Sequence, residues 1–174
     1  MYFNTYFLFT QRLNLWYNPF LEMKELIYCE RSQKMQTFIS HSEQETEKIG
    51  EEYASKVCDG TVLAMYGDLG AGKTAFVRGL ARGMGLSARV SSPTFTIVNE
   101  YCGDRELIHF DMYRLSSADE LFDIGWEDYL ARGAVCAVEW SENVEDAFDG
   151  TETVLRFEKL SDNDRNISVQ EGRE

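Results

Sequence analysis

The sequence predicts an α/β fold, a single domain with a mixed, partly parallel sheet flanked by helices. Three features of the chain support this fold class. Short apolar runs typical of strands alternate with helical patterns. The run at residues 134–138 is unbroken and suits a central buried strand. Near the carboxyl end, strand candidates at residues 153–157 and 167–169 flank a polar turn, which predicts a terminal hairpin and makes the sheet mixed.

The first half of the domain begins with a strand candidate at residues 37–40. Ser42 followed by Glu45 forms a capping box, which predicts a helix that extends to about Val57. Residues 61–66 are a short apolar run between two glycines, as expected of a buried strand. The chain therefore starts as strand, helix, strand.

The second half continues with strand candidates at residues 95–101 and 107–111. Ser117 is placed to cap a helix that is interrupted near Gly125 and ends before Gly133. With 174 residues the chain is long enough for one domain with a substantial core.

Residues 67–74 read Gly-Asp-Leu-Gly-Ala-Gly-Lys-Thr and fit the pattern G-x-x-x-x-G-K-[ST] of a phosphate-binding loop. Its glycines let the backbone N–H groups surround an oxyanion. Lys73 supplies a cation for the β- and γ-phosphates, and the Thr74 hydroxyl is placed to bind Mg²⁺. A helix starting near Lys73 adds the positive end of its dipole. Strand, loop and helix follow in the order that predicts a P-loop NTPase domain.

Two acidic residues end strands and are candidates for the metal side of a nucleotide site. Asp111 follows residues 107–110, and Glu139 follows residues 134–138. Carboxyl ends of strands meet at the edge of an open α/β sheet where ligands bind. Both acids are therefore expected near the phosphate loop, and the sequence does not decide which of them orients a water molecule.

Other polar residues in this part of the chain allow more than one interpretation. The loop at residues 91–96 either senses a γ-phosphate through a hydroxyl or forms a solvated turn shaped by Pro93. His109 is interpreted as a packed or hydrogen-bonded histidine rather than a base. Trp140 is expected to pack in or beside the core.

Charge and cysteine content exclude several classes of function. Acidic residues outnumber basic ones by 30 to 17, giving a net charge of −13, which disfavours autonomous nucleic-acid binding. The four cysteines are scattered without metal-site spacing and indicate a reduced, cytoplasmic set. No apolar run approaches the roughly 20 residues that cross a bilayer, so no membrane association is expected of the domain.

Residues 1–34 are rich in aromatic residues and differ from the rest. They form either an arm that docks on a membrane surface or a partner, or a disordered extension outside the domain with the working start at Met23 or Met35. We favour the extension because the domain pattern begins after Met35. The expected organisation is an extension at 1–34 and a P-loop ATPase domain at 35–174.

Four motifs together resemble the TsaE family, the small ATPases of the bacterial machinery that makes threonylcarbamoyladenosine (t6A) in tRNA. The motifs lie at residues 67–74, 92–96 (Ser-Pro-Thr-Phe-Thr), 109–115 (His-Phe-Asp-Met-Tyr-Arg-Leu) and 138–140 (Val-Glu-Trp). Their order and spacing fit throughout, and the resemblance covers about Thr37 to Val169. The amino-terminal extension departs from the usual short protein of the family.

The resemblance implies a site for ATP and Mg²⁺. It implies that Thr74 and Glu139 serve the metal, with Asp111 beside the metal or the γ-phosphate, and that Thr94 lies in a switch segment. It places Glu43 near the nucleotide and Arg165 over the base. The phosphates would be held by Leu69, Gly70, Ala71, Gly72, Lys73 and Thr74, and the expected catalytic residues are Lys73, Asp111 and Glu139.

The resemblance also implies partners. The family member docks on a TsaB–TsaD pair and hydrolyses ATP so that the complex turns over, while tRNA is reached only through the complex. The expected activity is a weak Mg²⁺-dependent ATPase that partners activate, because no arginine finger is evident in the sequence.

Two alternative functions stay open from the sequence. A small-molecule kinase shares the phosphate loop but usually has an arginine-bearing lid. Arg105 and Arg114 lie in the carboxyl-terminal half of the chain, where such a lid is expected, yet no lid-sized insertion is present. A nucleotide-gated binding module without turnover is the other alternative. The guanine signature N-K-x-D does not occur in the chain, which argues against a GTP switch.

Overall fold

The structure is a computed structural model that describes residues 35–172. The expected extension at residues 1–34, with its alternative starts, lies outside the described residues. The strands are β1 (Gln36–Ser40), β2 (Val62–Tyr66), β3 (Val98–Cys102), β4 (Glu106–Asp111), β5 (Val135–Glu139), β6 (Thr153–Lys159) and β7 (Arg165–Gln170). The helices are α1 (Glu43–Tyr53), α2 (Lys73–Gly83), α3 (Ala118–Asp123) and α4 (Trp126–Ala131).

Within residues 35–172 the strands form one seven-stranded sheet in the order β1-β7-β6-β2-β5-β4-β3. The central strands β6, β2, β5 and β4 are parallel, whereas β1, β7 and β3 add antiparallel edges. The prediction of a mixed, partly parallel sheet flanked by helices is confirmed. Every residue of β5 is buried, as expected of a central strand covered on both faces.

Side chains on the two faces of the sheet belong to two separate hydrophobic clusters. On one face, Phe76 and Leu80 of α2 pack against Leu63 of β2. On the other face, Trp126 of α4 packs against Phe110 of β4, with ring centroids 5.2 Å apart. Adjacent residues of β5 alternate between the clusters because side chains alternate across a strand.

Helices α1 and α2 approach each other at backbone distance. A Cβ atom on Gly79 would overlap the carbonyl oxygen of Glu47, and one on Gly50 would overlap that of Phe76. Ion pairs flank this contact, including Arg82 Nε with Glu51 Oε2 at 2.8 Å. The glycines therefore set the distance between the two helices.

The amino-terminal cap of α1 has the predicted form with one difference. Ser42 Oγ accepts a hydrogen bond from Glu45 N at 3.1 Å, but Glu45 Oε2 accepts from His41 N, at 2.7 Å, rather than from Ser42 N. The helix was predicted to reach Val57 but ends at Tyr53, where a 3₁₀ turn follows. Val57 stays buried after this turn.

Two other sequence predictions need correction. Strand β3 was predicted from Phe95 but begins at Val98, because Ile97 N donates to Pro93 O at 2.6 Å and closes a turn. Ile97 has a φ of 68°, which is incompatible with an extended strand. The Ser117 side chain makes no capping hydrogen bond in the described structure, although the predicted interruption at Gly125 is present with a φ of 87°.

In the part of the chain that the structure describes, no helix is both long and apolar enough to span a membrane.

Candidate nucleotide-binding site

A cleft of about 500 Å³ opens at the carboxyl ends of β2, β4 and β5. Parallel strands place their terminal residues at this edge, so the loop after β2 lies beside the last residues of β4 and β5. All the candidate residues named from the sequence line it: Glu43, Leu69, Gly70, Ala71, Gly72, Lys73, Thr74, Thr94, Asp111, Glu139 and Arg165.

The phosphate loop has a backbone that only glycine adopts readily. Gly67 has a φ of 134°, and a Cβ there would overlap the carbonyl oxygen of Phe157. Gly70 and Gly72 have φ values of 76° and 106°. Gly72 precedes the first residue of α2, so the loop leads directly into the helix amino terminus that favours anions. Leu69, by contrast, exposes 83% of its surface at the mouth of the cleft.

Lys73 is folded against its own loop. Its Nζ donates hydrogen bonds to the carbonyl oxygens of Gly67 and Asp68, the latter at 3.2 Å. The amine also lies over the Trp140 ring. Burial lowers the pKa of Lys73 below its ordinary value, although Glu139 and other acids oppose the shift. A phosphate that took the place of the two carbonyls would give this buried cation a charged partner.

Thr74, Glu139 and His109 form a continuous chain of hydrogen bonds beneath the loop. Thr74 Oγ1 donates to Glu139 Oε1 at 2.7 Å, and His109 Nε2 lies 2.8 Å from the same oxygen. Glu139 is 4% exposed and His109 is fully buried. The arrangement brings the hydroxyl of the loop and the acid at the end of β5 together.

Asp111 anchors the loop at residues 91–97. Its Oδ2 accepts from the hydroxyls of Ser92, at 2.7 Å, and Thr94, at 2.6 Å. Its Oδ1 accepts from Tyr113 N at 3.1 Å, and its backbone N–H donates to Ile97 O at 2.9 Å. The predicted switch segment is thus tied to the strand-end acid.

Glu43 and Arg165 lie at the rim of the cleft. Glu43 forms an ion pair with Arg78, which also contacts Glu47 at 2.8 Å. Arg165 donates through Nη1 to Asp162 O at 2.8 Å and through Nη2 to Gly70 O at 3.3 Å. Arg165 therefore links the β6–β7 turn to the phosphate loop.

The oxygen donors of the cleft fit Mg²⁺. Magnesium is usually held by one or two carboxylates together with substrate phosphates and water. Within residues 35–172 no group of three His, Cys, Asp or Glu side chains forms a complete metal site. A hydroxyl that is hydrogen-bonded to a carboxylate, as in the pair Thr74 and Glu139, offers oxygen ligands for a Mg²⁺ ion that phosphate oxygens also help to bind.

The family described as "Threonylcarbamoyl adenosine biosynthesis protein TsaE" matches residues 40–167. The chain belongs to the TsaE family. The resemblance inferred from the four motifs is thereby confirmed.

Curated TsaE proteins align with most of the chain. The one from Treponema pallidum is 37% identical over 131 residues, which cover 75% of this chain and 97% of that protein. The one from Bacillus subtilis is 39% identical over 126 residues, covering 72% and 78%. The one from Aquifex aeolicus is 37% identical over 134 residues, covering 75% and 92%. These proteins are named as tRNA threonylcarbamoyladenosine biosynthesis proteins.

The crystal structure of Bacillus subtilis YdiB has the same fold. It superposes with a TM-score of 0.69 at 31% sequence identity and covers 82% of this chain and 88% of that chain. The TsaE assignment and the α/β architecture therefore agree.

The TsaE cleft also contains residues that sequence reasoning gave no site role. They are Thr46, Arg78 and Trp140, which line it, and His109, which contacts Glu139 from below. Strand periodicity offered a signal for His109, since it precedes Asp111 by two positions on β4 and therefore shares its face. No comparable local signal indicates that Trp140 lies over Lys73.

Proposed function

We propose that this chain binds ATP with Mg²⁺ in the cleft and hydrolyses the γ-phosphate slowly, as an accessory subunit of the tRNA t6A machinery that acts with TsaB and TsaD. The hydrogen bond between Thr74 and Glu139, at 2.7 Å directly beneath a complete phosphate loop, is the observation that carries the proposal. Membership of the TsaE family supports a role in t6A biosynthesis, because the relatives are named as tRNA threonylcarbamoyladenosine biosynthesis proteins.

Phosphate binding is the first role of the loop. The backbone N–H groups of residues 69–74 and the amino terminus of α2 would surround the phosphates. Lys73 would exchange the carbonyls of Gly67 and Asp68 for phosphate oxygens. Because the amine is already buried, its charge is weakly screened by water.

Metal binding falls to Thr74 and Glu139. When bound, Mg²⁺ neutralises charge on the β- and γ-phosphate oxygens. Glu139 Oε1 already accepts two hydrogen bonds, whereas its Oε2 makes none within the described residues. Oε2 is therefore the atom available to the metal or its water.

The two strand-end acids have different surroundings, which favours different roles. Both carboxylate oxygens of Asp111 accept hydrogen bonds, from Ser92 and Thr94 on one side and Tyr113 on the other. Asp111 is thus suited to hold the switch segment beside the γ-phosphate. Glu139, whose Oε2 accepts no hydrogen bond within the described residues, is the acid that we propose to orient the attacking water.

Slow turnover without partners follows from the cations of the cleft. The two arginines that line it in the described structure are engaged, Arg78 by Glu43 and Glu47 and Arg165 by main-chain carbonyls. Neither is free to neutralise the transition state as an arginine finger does. A docking partner that supplies or releases a cation would raise the rate.

Phosphate release by the full chain tests the activity. We expect Lys73→Met and Glu139→Gln each to lower the rate by on the order of 10²-fold. Lys73→Met removes a cation that stabilises transition-state charge, whereas Glu139→Gln weakens the hold on Mg²⁺ and its water. Lys48→Met and Glu127→Gln are controls of the same chemistry at exposed positions outside the cleft. Rates unchanged in both active-site variants would contradict hydrolysis in this cleft, and phosphate transfer to a metabolite would indicate a kinase.

Capture of the full chain by TsaB and TsaD tests the partners. We expect ATP with Mg²⁺ to increase capture and Lys73→Met to abolish that increase. Urea denaturation of Lys73→Met checks that the variant is folded, so that loss of capture can be told from unfolding. Equal capture with and without nucleotide would contradict ATP-dependent assembly, and binding without any turnover would indicate a nucleotide-gated module.

A further inference from the structure

His109 occupies a position where a polar side chain is costly. It is fully buried in the middle of the sheet, on β4 opposite Ala137 of β5. Its Nδ1 has no hydrogen-bond partner in the described structure. Leaving a buried polar atom unpaired lowers the stability of the fold. An apolar side chain would fill the same space without this cost.

The other ring nitrogen, Nε2, makes a contact that explains why a histidine stands at this position despite the unpaired Nδ1. His109 Nε2 lies 2.8 Å from Glu139 Oε1. A carboxylate only accepts hydrogen bonds, so Nε2 carries a hydrogen and donates it. The tautomer is thereby fixed by Glu139, and one nitrogen is left unpaired so that the other can hold the carboxylate.

We propose that His109 is a positioning residue that fixes the Glu139 carboxylate for magnesium, an inference that rests on the proposed ATPase function. His109 and Thr74 together occupy Oε1 from two directions, which defines the plane of the carboxylate. Oε2 is then left for the metal or its water. His109 itself touches neither the nucleotide nor the metal.

Removal of the imidazole would leave Glu139 held by Thr74 alone. Metal binding would then have to order the carboxylate, and that ordering reduces affinity. Supporting residues of this kind typically change metal affinity by tenfold or more. Nucleotide binding without metal depends on the loop and Lys73, so it should not change.

The test uses the full chain and two nearly isosteric replacements. His109→Gln keeps an N–H donor near the position of Nε2, whereas His109→Met fills similar space without a donor. His41→Gln is the control, because His41 is the only other histidine of the chain and is exposed. A non-hydrolysable ATP analogue is titrated by calorimetry in EDTA, and Mg²⁺ is then titrated into the complex.

We expect the analogue to bind all four proteins within about twofold in EDTA. His109→Met should weaken Mg²⁺ binding on the order of tenfold, whereas His109→Gln should stay within about threefold of the wild type. If His109→Met binds Mg²⁺ like the wild type, or if both variants lose affinity and thermal stability equally, His109 only packs and the proposal is wrong. A wild type that binds no nucleotide would instead overturn the proposed function.

A second measurement does not require any variant of His109 to fold. Nitrogen-15 NMR of the wild type should show the His109 ring protonated at Nε2 alone, with a shift that changes when Mg²⁺ joins the analogue complex. The His41→Gln spectrum assigns the two histidines. Protonation at Nδ1 alone, or a signal indifferent to Mg²⁺, would overturn the proposal.

Discussion

The amine nitrogen of Lys73 lies 4.0 Å from the centre of the Trp140 ring. Trp140 keeps this position with a backbone φ of 59°, a left-handed conformation that costs a non-glycine residue about 1–2 kcal/mol. The ring also contacts Tyr113, with centroids 4.9 Å apart. Cation–π attraction to Lys73 and the contact with Tyr113 offset this backbone strain. Because the amine lies against the ring, a change in what the amine binds changes the surroundings of the indole.

We therefore expect ATP with Mg²⁺ to change the fluorescence of Trp140, because the Lys73 amine would turn from the ring towards phosphate. Trp140→Phe should still bind the nucleotide, as calorimetry would show, but should lose most of the emission change. Trp126, which is buried in the core, and Trp16 remain in this variant, so that any emission change that persists comes from them. An emission change of equal size in Trp140→Phe would show that Trp140 does not report movement of the Lys73 amine.

The loop at residues 91–97 should loosen when its tie to Asp111 is cut. Thr94→Val removes the hydroxyl that donates to Asp111 Oδ2 at 2.6 Å. We expect chymotrypsin to cleave after the exposed Phe95 several times faster, measured by mass spectrometry of the new fragment. Thr96→Val is the control, since its hydroxyl bonds Asn99 rather than Asp111. Similar cleavage of both variants would show that the hydrogen bond from Thr94 to Asp111 does not hold the loop.

The close contact of α1 and α2 makes Gly79 sensitive to substitution. Gly79→Ala forces a Cβ onto the carbonyl of Glu47 and should lower the free energy of unfolding by about 3 kcal/mol. Gly133→Ala is the comparison, because its φ is 70° but open space surrounds it, so only about 1 kcal/mol of backbone strain is expected. Urea denaturation measures both, and equal losses would contradict the packing argument.

The ion pair between His41 and Asp164 predicts a pH dependence. The hydrogen bond with Asp164 raises the pKa of His41 above 6.5, and the same bond lowers the pKa of Asp164 below 3.8. The His41 contribution is complete below pH 6.5 and is lost as pH rises through the raised value. The Asp164 contribution is present above pH 3.8 and is lost as pH falls through the lowered value.

His41→Gln should therefore destabilise the protein more at about pH 5.5 than at about pH 9, where the wild-type histidine is neutral. Urea denaturation of both proteins at the two values measures the difference. Asp164→Asn should show the same trend, since it removes the other partner. A constant difference between His41→Gln and the wild type would mean that the pair does not contribute to stability.

The parts predicted well from the sequence are those governed by local rules. The phosphate loop needs glycines at fixed spacing, and the unbroken run at residues 134–138 suits a strand that is covered on both faces. The acids Asp111 and Glu139 were expected at one edge because parallel strands end together, and the register Asp111–Glu139 agrees. Local patterns carry this information because a few neighbouring residues determine each element.

The parts that were missed depend on contacts distant in sequence or on backbone strain. The start of β3 was placed too early because Ile97, a β-branched residue that favours strands, lies at positive φ. The contact between His109 and Glu139 joins residues 30 apart in sequence, and that between Lys73 and Trp140 joins residues still farther apart along the chain. Hydrophobic periodicity predicts burial at such positions but not the atoms that meet there.

The glycines between α1 and α2 also determine how the cleft can respond to a ligand. With backbone against backbone there is no layer of side chains to rearrange, so the two helices must shift together. Movement of Lys73 at the start of α2 would carry Glu43 at the start of α1 with it. One wall of the cleft is thus stiff, and adaptation to successive ligand states falls to the opposite wall, where Ile97 holds a strained left-handed conformation.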